Sequence, residues 1–355
     1  MKRNALWMQT VVLICLMVLT MSCDEGDSGK AQKDYFPSWN NCEALTALKS
    51  YVEDVTNEQS ANYIKVEDRI ATFDMDGTFV AELYPTYFEY NMLEYRVLDD
   101  KSYSDKAPED VREAAQSIRD FVRTGKPLPA NFDMIHAHAA AKAYSGMTLA
   151  QFDAYVKAYG ALPANGFTGM TYGQGFYKPM LEVFAYLADH HFTCYVVSGS
   201  DRFICRSLVE SIGISPSRVI GMDVKLKSNK EGEEPGVTYT MGKEEYLVRT
   251  DELIIKNLKT NKVLQISQEI GKVPVLSFGN SSGDCAMHNY CMGNAKYRTA
   301  TFMLVADDAD RDHADLAEGA RREAKWREAG YHIISMKNDF KTIYGPGVQK
   351  VDFHF

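Results

Sequence analysis

No Cys-x-x-Cys pair occurs among the seven cysteines, so neither a zinc ribbon nor a dithiol redox motif is indicated. Positively charged residues are fewer than negatively charged ones: the chain has 39 Lys and Arg residues and 48 Asp and Glu residues, which gives a formal net charge of −9. Such a chain is a poor partner for nucleic acid or an anionic membrane surface. There is also no internal repeat. What is left is an ordinary globular composition, 45% hydrophobic, and 355 residues are enough to bury a full core.

The longest apolar run stands at the N-terminus. Residues 11–21 (VVLICLMVLTM) follow a positively charged start and are too few to span a bilayer comfortably, which is typical of an export signal, here residues 1–22. The Ser-Cys step at Cys23 resembles a bacterial lipoprotein processing site, and a plain cleaved signal peptide is the alternative. We therefore expect an exported protein of a Gram-negative bacterium, periplasmic or anchored in the outer membrane. Its only membrane contact would be a lipid at Cys23, with residues 23–40 as a polar tether.

Short apolar segments alternate with helical patterns in the second half of the chain. Residues 69–73, 192–197, 273–278 and 301–305 have the length and composition of buried strands. Residues 224–241 alternate around a turn and predict a hairpin. Repeated strand, helix and strand predict an α/β fold with a mainly parallel sheet covered by helices on both faces.

A long helical and aromatic-rich region interrupts this alternation. Its apolar spacing predicts four helices separated by Pro and Gly breaks, at residues 84–98, 108–123, 132–143 and 149–159. We therefore predict a helical cap over residues 79–175, inserted into a core made of residues 41–78 and 176–355.

Polar clusters follow three of the predicted strands at the point where each strand ends. They are Asp74 with Asp76, the segment 198–201 (SGSD), and the segment 279–284 (GNSSGD). In a parallel α/β sheet, ligands bind beyond the carboxyl ends of the strands. One such turn would be unremarkable, whereas three at successive strand ends predict a common site.

These segments resemble the four motifs of the haloacid dehalogenase superfamily of phosphatases, over residues 65–80 and 176–310. The first motif is Asp74-Met-Asp-Gly-Thr78, and the second is Ser198. The third is a helix lysine, assigned to Lys262, with Lys256 and Lys259 as competitors. The fourth is the turn Gly279–Asp284. The resemblance implies a Rossmann-like core and a Mg²⁺-dependent phosphomonoesterase.

The resemblance also implies a role for each motif residue. Asp74 would be the nucleophile that forms an aspartyl-phosphate, and Asp76 would act as general acid and base. The phosphate would be bound by Thr78, Ser198, Gly199 and Lys262. The Mg²⁺ ligands would be Asp74, Asp76, Asn280 and Asp284. Asn280 stands where the family usually has an aspartate, so weaker binding of Mg²⁺ is expected.

The start of the predicted cap offers candidates for contact with the substrate. The resemblance is greatest to phosphoserine phosphatases and to periplasmic phosphorylcholine phosphatases, in which a cap selects small substrates. Glu82, Tyr84 and Tyr87 combine a carboxylate with aromatic faces, which suits a cationic or amino head group. The rings could equally form the core of the cap.

Two other functions remain open from the sequence. The scaffold could cleave a carbon–halogen or phosphonate bond, although Asp76 argues against a dehalogenase. Alternatively, Asn280 could mark a lipid-anchored binding protein whose catalytic site has decayed. Retention of Asp74, Asp76, Thr78 and Ser198 argues against that reading.

Overall fold

A seven-stranded sheet forms the centre of the computed structural model, which describes residues 33–355. Across the sheet the strands run β5-β4-β3-β1-β6-β7-β8, and every neighbouring pair is parallel except β4 with β5. β2 and β9 form a separate antiparallel pair. The strands are β1 (Ile70–Phe73), β2 (Phe167–Thr168), β3 (Thr193–Asp201), β4 (Val219–Ser228), β5 (Leu247–Ile255), β6 (Leu276–Gly279), β7 (Ala300–Val305), β8 (His332–Ser335) and β9 (Gln349–Lys350). The predicted α/β fold with a mainly parallel sheet is confirmed.

Helices fill most of the connections between the strands. They are α1 (Glu43–Thr56), α2 (Phe88–Leu98), α3 (Glu109–Thr124), α4 (Phe132–Ala143), α5 (Leu149–Gly160), α6 (Lys178–Asp189), α7 (Arg202–Val209), α8 (Thr260–Glu269), α9 (Cys285–Met292), α10 (Leu316–Glu328) and α11 (Met336–Asp339). Within residues 33–355, none of them has both the length and the apolar character that crossing a membrane requires.

The two faces of the sheet pack against different helices, because successive side chains of a strand point to opposite faces. Val196 of β3 belongs to the large core that also contains residues of α1 and α6. Its neighbour Val197 packs instead with Ile266 of α8 and Met287 of α9. Both valines are fully buried. Strand β3 is therefore buried in apolar surroundings on both faces of the sheet.

An aromatic stack fixes the position of β1 in the sheet. The ring of Phe73 lies 4.1 Å from that of Phe184 on α6 and 4.3 Å from that of Phe278 on β6. The ring of Phe278 lies 5.0 Å from that of Phe302 on β7. Aromatic pairs at such distances add to the stabilisation that burial provides. Because Phe73 immediately precedes Asp74, this packing also fixes where Asp74 leaves the sheet.

The helical insert leaves the core and returns to it through two adjacent segments. Ala81 N–H donates to the carbonyl of Gly175 (2.7 Å), and Tyr177 N–H donates to the carbonyl of Phe79 (2.9 Å). Helices α2 to α5 lie between these segments, and residues 79–175 are called the cap below. The insert also contacts the sheet edge, where Gly146 N–H donates to the carbonyl of Arg249 in β5 (2.8 Å).

Two segments differ from the sequence predictions. The tether predicted to reach residue 40 ends earlier, because Phe36 and Trp39 are buried and Trp39 Nε1 donates to the carbonyl of Pro179 (2.9 Å). The hairpin predicted within residues 224–241 instead pairs β4 with β5, which begins at Leu247. The export signal and Cys23 lie outside the described residues. The five cysteines within residues 33–355 are free thiols.

Candidate active site

The loops after β1 and β6 and the end of β3 converge on one pocket, which residues of α2 and of the start of α4 also line. Its volume is about 80 Å³, so it is only large enough for a group the size of a few water molecules. Charged side chains dominate its walls: Asp74, Asp76, Glu82, Glu89, Asp133, Asp284, Lys256 and Lys262. Six carboxylates and two lysines give the pocket a marked excess of negative charge.

Asp74 is held by a buried lysine at the end of β1. Lys262 on α8 donates to Oδ1 of Asp74 (2.5 Å) and to Oδ1 of Asp284 (2.6 Å). Burial raises the pKa of Asp74 to about 7, and the charge of Asp284 adds to this while Lys262 opposes it. Burial also opposes ionisation of Asp284, but Lys262 overrides it and lowers the pKa of that carboxyl. The lysine thus lies between two carboxylates that would otherwise repel each other more strongly.

Asp76 lies two residues further along, in the turn that follows Asp74. Its Oδ2 accepts a hydrogen bond from Ser200 Oγ (2.7 Å), whereas its buried Oδ1 has no partner among the described residues. Burial raises the pKa of Asp76 to about 7. A carboxyl group with one fixed oxygen and one free oxygen can exchange a proton with a bound molecule.

Gly77 lets two side chains close over this turn. Its φ is +77°, and a Cβ there would lie 1.9 Å from Asn280 Nδ2 and 2.4 Å from Glu82 Oε2. Any other residue would therefore be strained and would displace both neighbours. Asn280 Nδ2 donates to Oε2 of Glu82 (2.8 Å), which brings the end of β6 into contact with the start of the cap. Burial raises the pKa of Glu82 to about 7.

A second buried lysine faces the pocket from the other side. Lys256, which directly follows β5, donates to Oε1 of Glu89 on α2 (2.9 Å). The second oxygen of Glu89 accepts from the backbone N–H of Asp201 (3.0 Å). Asp201 is itself paired with Arg249, at 2.5 Å between Oδ2 and Nη2. One carboxylate on the cap thus bonds to two segments of the core.

The predicted site residues divide into those that line the pocket and those that lie behind it. Asp74, Asp76, Glu82, Tyr87, Gly199, Lys262, Asn280 and Asp284 line it. Thr78 is buried, with its hydroxyl 3.4 Å from Asn280 Oδ1, and Ser198 Oγ accepts from the N–H of Ser200 (3.1 Å). Tyr84 is buried against Tyr172 in the cap (5.3 Å between rings) and does not line the pocket. Of the three competing lysines, Lys262 contacts Asp74, and Lys259 is exposed.

Several pocket residues did not emerge from the sequence. Ser200 belongs to the predicted polar segment 198–201, in which the resemblance assigns a role only to Ser198 and Gly199. Glu89 and Asp133 belong to helices of the cap, and Asp133 accepts a hydrogen bond from the hydroxyl of Tyr90 (3.1 Å). Their helical spacing is that of any packed helix, and it did not mark them as pocket residues.

The donor atoms of the pocket suit a hard divalent cation such as Mg²⁺, which prefers carboxylate and amide oxygens. Within residues 33–355 no group of three or more His, Cys, Asp or Glu side chains is spaced as a metal site. Both oxygens of Asp284 are already bonded, Oδ1 to Lys262 and Oδ2 to the N–H groups of Asn280 and Ser281. The fitting donors are therefore Asp74, whose Oδ1 alone contacts Lys262, and the amide oxygen of Asn280. Asp76, also predicted as a ligand, has a free Oδ1, which is the atom available for proton exchange. Water would complete the shell.

No family model and no curated protein matches this sequence. Among solved structures, a conserved functionally unknown protein from Anaerococcus prevotii DSM 20548 has a TM-score of 0.52 at 14% identity, over 88% of this chain and 99% of that chain. Cytosolic 5′-nucleotidase IIIB bound to cytidine has a TM-score of 0.47 at 12% identity, over 86% and 88%. A phosphoserine phosphohydrolase-like protein from Francisella tularensis subsp. tularensis SCHU S4 has a TM-score of 0.42 at 12% identity, over 75% and 94%. At these identities the first similarity concerns the fold alone, and it supports the α/β architecture described above.

Proposed function

We propose that the protein is a Mg²⁺-dependent phosphomonoester hydrolase of the haloacid dehalogenase type, with Asp74 as its nucleophile. The observation that carries the proposal is the pair of carboxylates after β1. Asp74 is held by Lys262 at 2.5 Å, and Asp76 has one oxygen fixed by Ser200 and one free. One carboxylate is thus oriented for attack, and its neighbour can transfer a proton.

The reaction would proceed in two displacements at phosphorus. A carboxylate oxygen of Asp74 forms a bond to phosphorus while the bond to the alcohol oxygen breaks, and Asp76 donates its proton to that oxygen. Asp76 then removes a proton from water, whose oxygen attacks phosphorus and releases phosphate and the free Asp74 carboxylate. Throughout, Lys262 offsets negative charge on Asp74 and on the phosphoryl group.

Mg²⁺ would be held by Asp74 and the amide oxygen of Asn280, and would screen the repulsion between the carboxylate and the anionic ester. Asn280 brings no charge of its own, which should make the affinity for Mg²⁺ lower than an aspartate would give. Asn280→Asp should therefore lower the Mg²⁺ concentration that gives half-maximal activity. An unchanged Mg²⁺ titration would remove Asn280 from the ligand set.

The substrate proposed is a small ester whose alcohol has a cationic or amino group next to the phosphate, of the phosphocholine or phosphoserine type. Lys262 and Lys256 pair with Asp74, Asp284 and Glu89, which leaves Asp76, Glu82 and Asp133 without an ion pair among the described residues. Tyr87 and Tyr90 stand edge to face beside them, with 5.2 Å between ring centroids. Carboxylates and aromatic faces favour a cation.

A chromogenic phosphate ester, with and without Mg²⁺, tests the reaction. Wild-type protein should release phosphate only with the metal, and Asp74→Asn should abolish release. Asp312→Asn is the matched control, because Asp312 is buried outside the pocket and accepts from Tyr344 Oη at 3.0 Å. No activity in the wild type together with retained binding of phosphate esters would favour the alternative, a binding protein with a decayed site.

Phosphonate cleavage receives less support than ester hydrolysis. In that chemistry a lysine of the cap usually forms a Schiff base, and both lysines that line the pocket, Lys256 and Lys262, come from the core. Halide displacement would give Asp76 no role as an acid. Incubation with a phosphonate and with a haloacid, each compared with the phosphate ester, would rank the three reactions.

We also propose that the protein is exported and attached to a membrane through a lipid on Cys23, as its N-terminal sequence suggests. Metabolic labelling with a fatty acid should mark the full-length protein, and Cys23→Ser should abolish the label. A labelled Cys23→Ser protein would contradict the anchor. Export would direct the hydrolase to phosphate esters outside the cytoplasm.

A further inference from the structure

A second cavity adjoins the candidate active site on the side of the cap. Its volume is about 350 Å³, compared with about 80 Å³ for the active-site pocket. Glu82, Tyr87, Tyr90 and Asn280 line both cavities. These four side chains face both cavities, so a molecule held at Asp74 would have to pass between them to enter the larger cavity.

The larger cavity, called here the outer chamber, has walls of a different character. Its apolar lining comes from four parts of the fold, namely the start of the cap, the cap itself, the end of β7 and helix α10: Leu83, Phe121, Leu128, Leu304, Val305 and Trp326. The active-site pocket, by contrast, has Leu258 as its one aliphatic side chain. Apolar walls favour an apolar occupant, because burial removes apolar surface from water.

The inner side of the outer chamber is built on rigid packing. Trp326 and Val305 are buried in one cluster with Met303, Tyr331 and Ile333. Gly319 lets α10 approach β7 closely, since a Cβ there would lie 3.3 Å from Val305 Cγ1. A preformed wall of this kind costs little conformational entropy when a ligand binds.

The charged groups that α10 and its N-cap bring to the outer chamber are hydrogen-bonded to one another. Arg322 Nε donates to Oε1 of Glu318 (2.6 Å), and Asp315 accepts from the N–H of Glu318 as the cap of α10 (3.0 Å). In the active-site pocket, three carboxylates are left without an ion pair among the described residues. The two cavities therefore suit different halves of one molecule, a polar, charged half and an apolar half.

We propose that the outer chamber binds the alcohol half of the substrate ester, and that this alcohol carries an apolar body the size of an aromatic ring. This rests on the proposed function, which places the phosphoryl group at Asp74. The active-site pocket holds only the phosphoryl group and the atoms next to it, including any cationic group. The remainder of the alcohol passes Tyr87 and contacts Phe121, Leu128 and Trp326.

Binding of two phosphonates tests this without requiring turnover. Benzylphosphonate and methylphosphonate share the anionic head, and only the first has a ring to place in the outer chamber. Isothermal calorimetry with Mg²⁺ should give benzylphosphonate a Kd lower by roughly tenfold or more. Equal Kd values would overturn the outer chamber as the alcohol site. Tighter binding of benzylphosphonate to a protein that hydrolyses no ester would contradict the proposed hydrolase and leave the chamber in place.

Substitutions in the lining of the outer chamber test where the ring of benzylphosphonate binds. Phe121→Ala should raise the Kd of benzylphosphonate by about threefold to tenfold and leave that of methylphosphonate unchanged. Leu128→Trp, which fills the chamber, should weaken benzylphosphonate in the same selective way. The control is Met134→Ala, because Met134 is also an exposed apolar residue of the cap (43% exposed against 38% for Phe121) and does not line either cavity. An equal response of Met134→Ala and Phe121→Ala would overturn the assignment.

Discussion

Two buried lysines face the active-site pocket, and they do different things. Lys262 bonds to Asp74 and Asp284, which both belong to the core. Lys256 bonds to Glu89, which belongs to the cap. The contact of Lys262 with Asp74 does not involve the cap, whereas the contact of Lys256 with Glu89 requires α2 to stay packed against the core. Similar burial and similar pairing thus serve chemistry in one case and the docking of the cap in the other.

The partners of each lysine explain this division. Lys262 is shared by two carboxylates, so its charge offsets their repulsion at short range. Glu89 also accepts the N–H of Asp201, so the cap would lose two contacts with the core if this carboxylate were removed. Taking away either lysine leaves an uncompensated charge in a buried place, and such losses are costly.

The largest effect is expected from Lys262→Met. Without its charge, Asp74 and Asp284 repel each other and the transition state loses a cation, so kcat should fall by about 10²- to 10³-fold. Steady-state kinetics with the chromogenic ester measure this. Lys259→Met is the control, because Lys259 is exposed at the start of the same helix and should keep its activity. A fall of less than about tenfold for Lys262→Met would show that Lys262 is not needed at Asp74.

The sequence distinguishes the two lysines only in part. The apolar residues of β1 and β6 mark both segments as buried strands, and polar residues follow each of them. The sequence therefore predicts that Asp74 and the turn at Asn280 lie close together. The helix phase that directs Lys262 at Asp74 depends on how α8 packs on the sheet. Sequence reasoning could therefore propose Lys262 but leave Lys256 and Lys259 as competitors.

The cap side of the pocket was harder to predict, for a physical reason. A glutamate on a helix is exposed in most proteins, so Glu89 offered no sign that it is buried. Its partner segment follows β5, an edge strand whose charged and exposed residues hide its strand pattern, as at Asp251 and Glu252. The burial of Glu89 and of Lys256 depends on contacts between segments that are distant in the sequence, and such contacts leave no local sequence pattern.

The second effect comes from the pair that joins the cap to the core. Lys256→Met should lower the free energy of unfolding by ~3–5 kcal/mol, because Glu89 is then buried without its cation. Glu89→Gln in the same chain should recover part of that loss, since glutamine is neutral and keeps an oxygen for the Asp201 N–H. Urea denaturation of the two single variants and the double variant gives the coupling.

The same experiment can reverse the proposed division of roles. If Lys256→Met lowered kcat as much as Lys262→Met while leaving stability unchanged, Lys256 would belong to the chemistry. If the stability losses of the two single variants simply add in the double variant, Glu89 and Lys256 do not stabilise each other.

A smaller effect concerns His136, which lies beside the cap pair with its Nδ1 3.6 Å from Oε1 of Glu89. Burial, followed by the charge of Lys256, lowers its pKa well below the usual range. As pH falls below about 6.5, the unfolded chain binds a proton that folded His136 does not, so stability should fall by up to ~1.4 kcal/mol per pH unit. His136→Leu should flatten this slope in urea titrations between pH 7 and 5. His138→Leu, exposed on the same helix, should leave it unchanged.

The smallest effect is expected from an ion pair that shares the geometry of the lysine pairs but not their burial. Lys225 Nζ lies 2.8 Å from Oε2 of Glu252 across β4 and β5, with 51% and 60% of the two side chains exposed. Water and salt screen such a pair, so Lys225→Met should leave the urea midpoint unchanged within error. A loss as large as that of Lys256→Met would mean that pairing, rather than burial, makes the two pocket lysines important. An unchanged midpoint would mean that the two pocket lysines matter because they and their partners are buried charges.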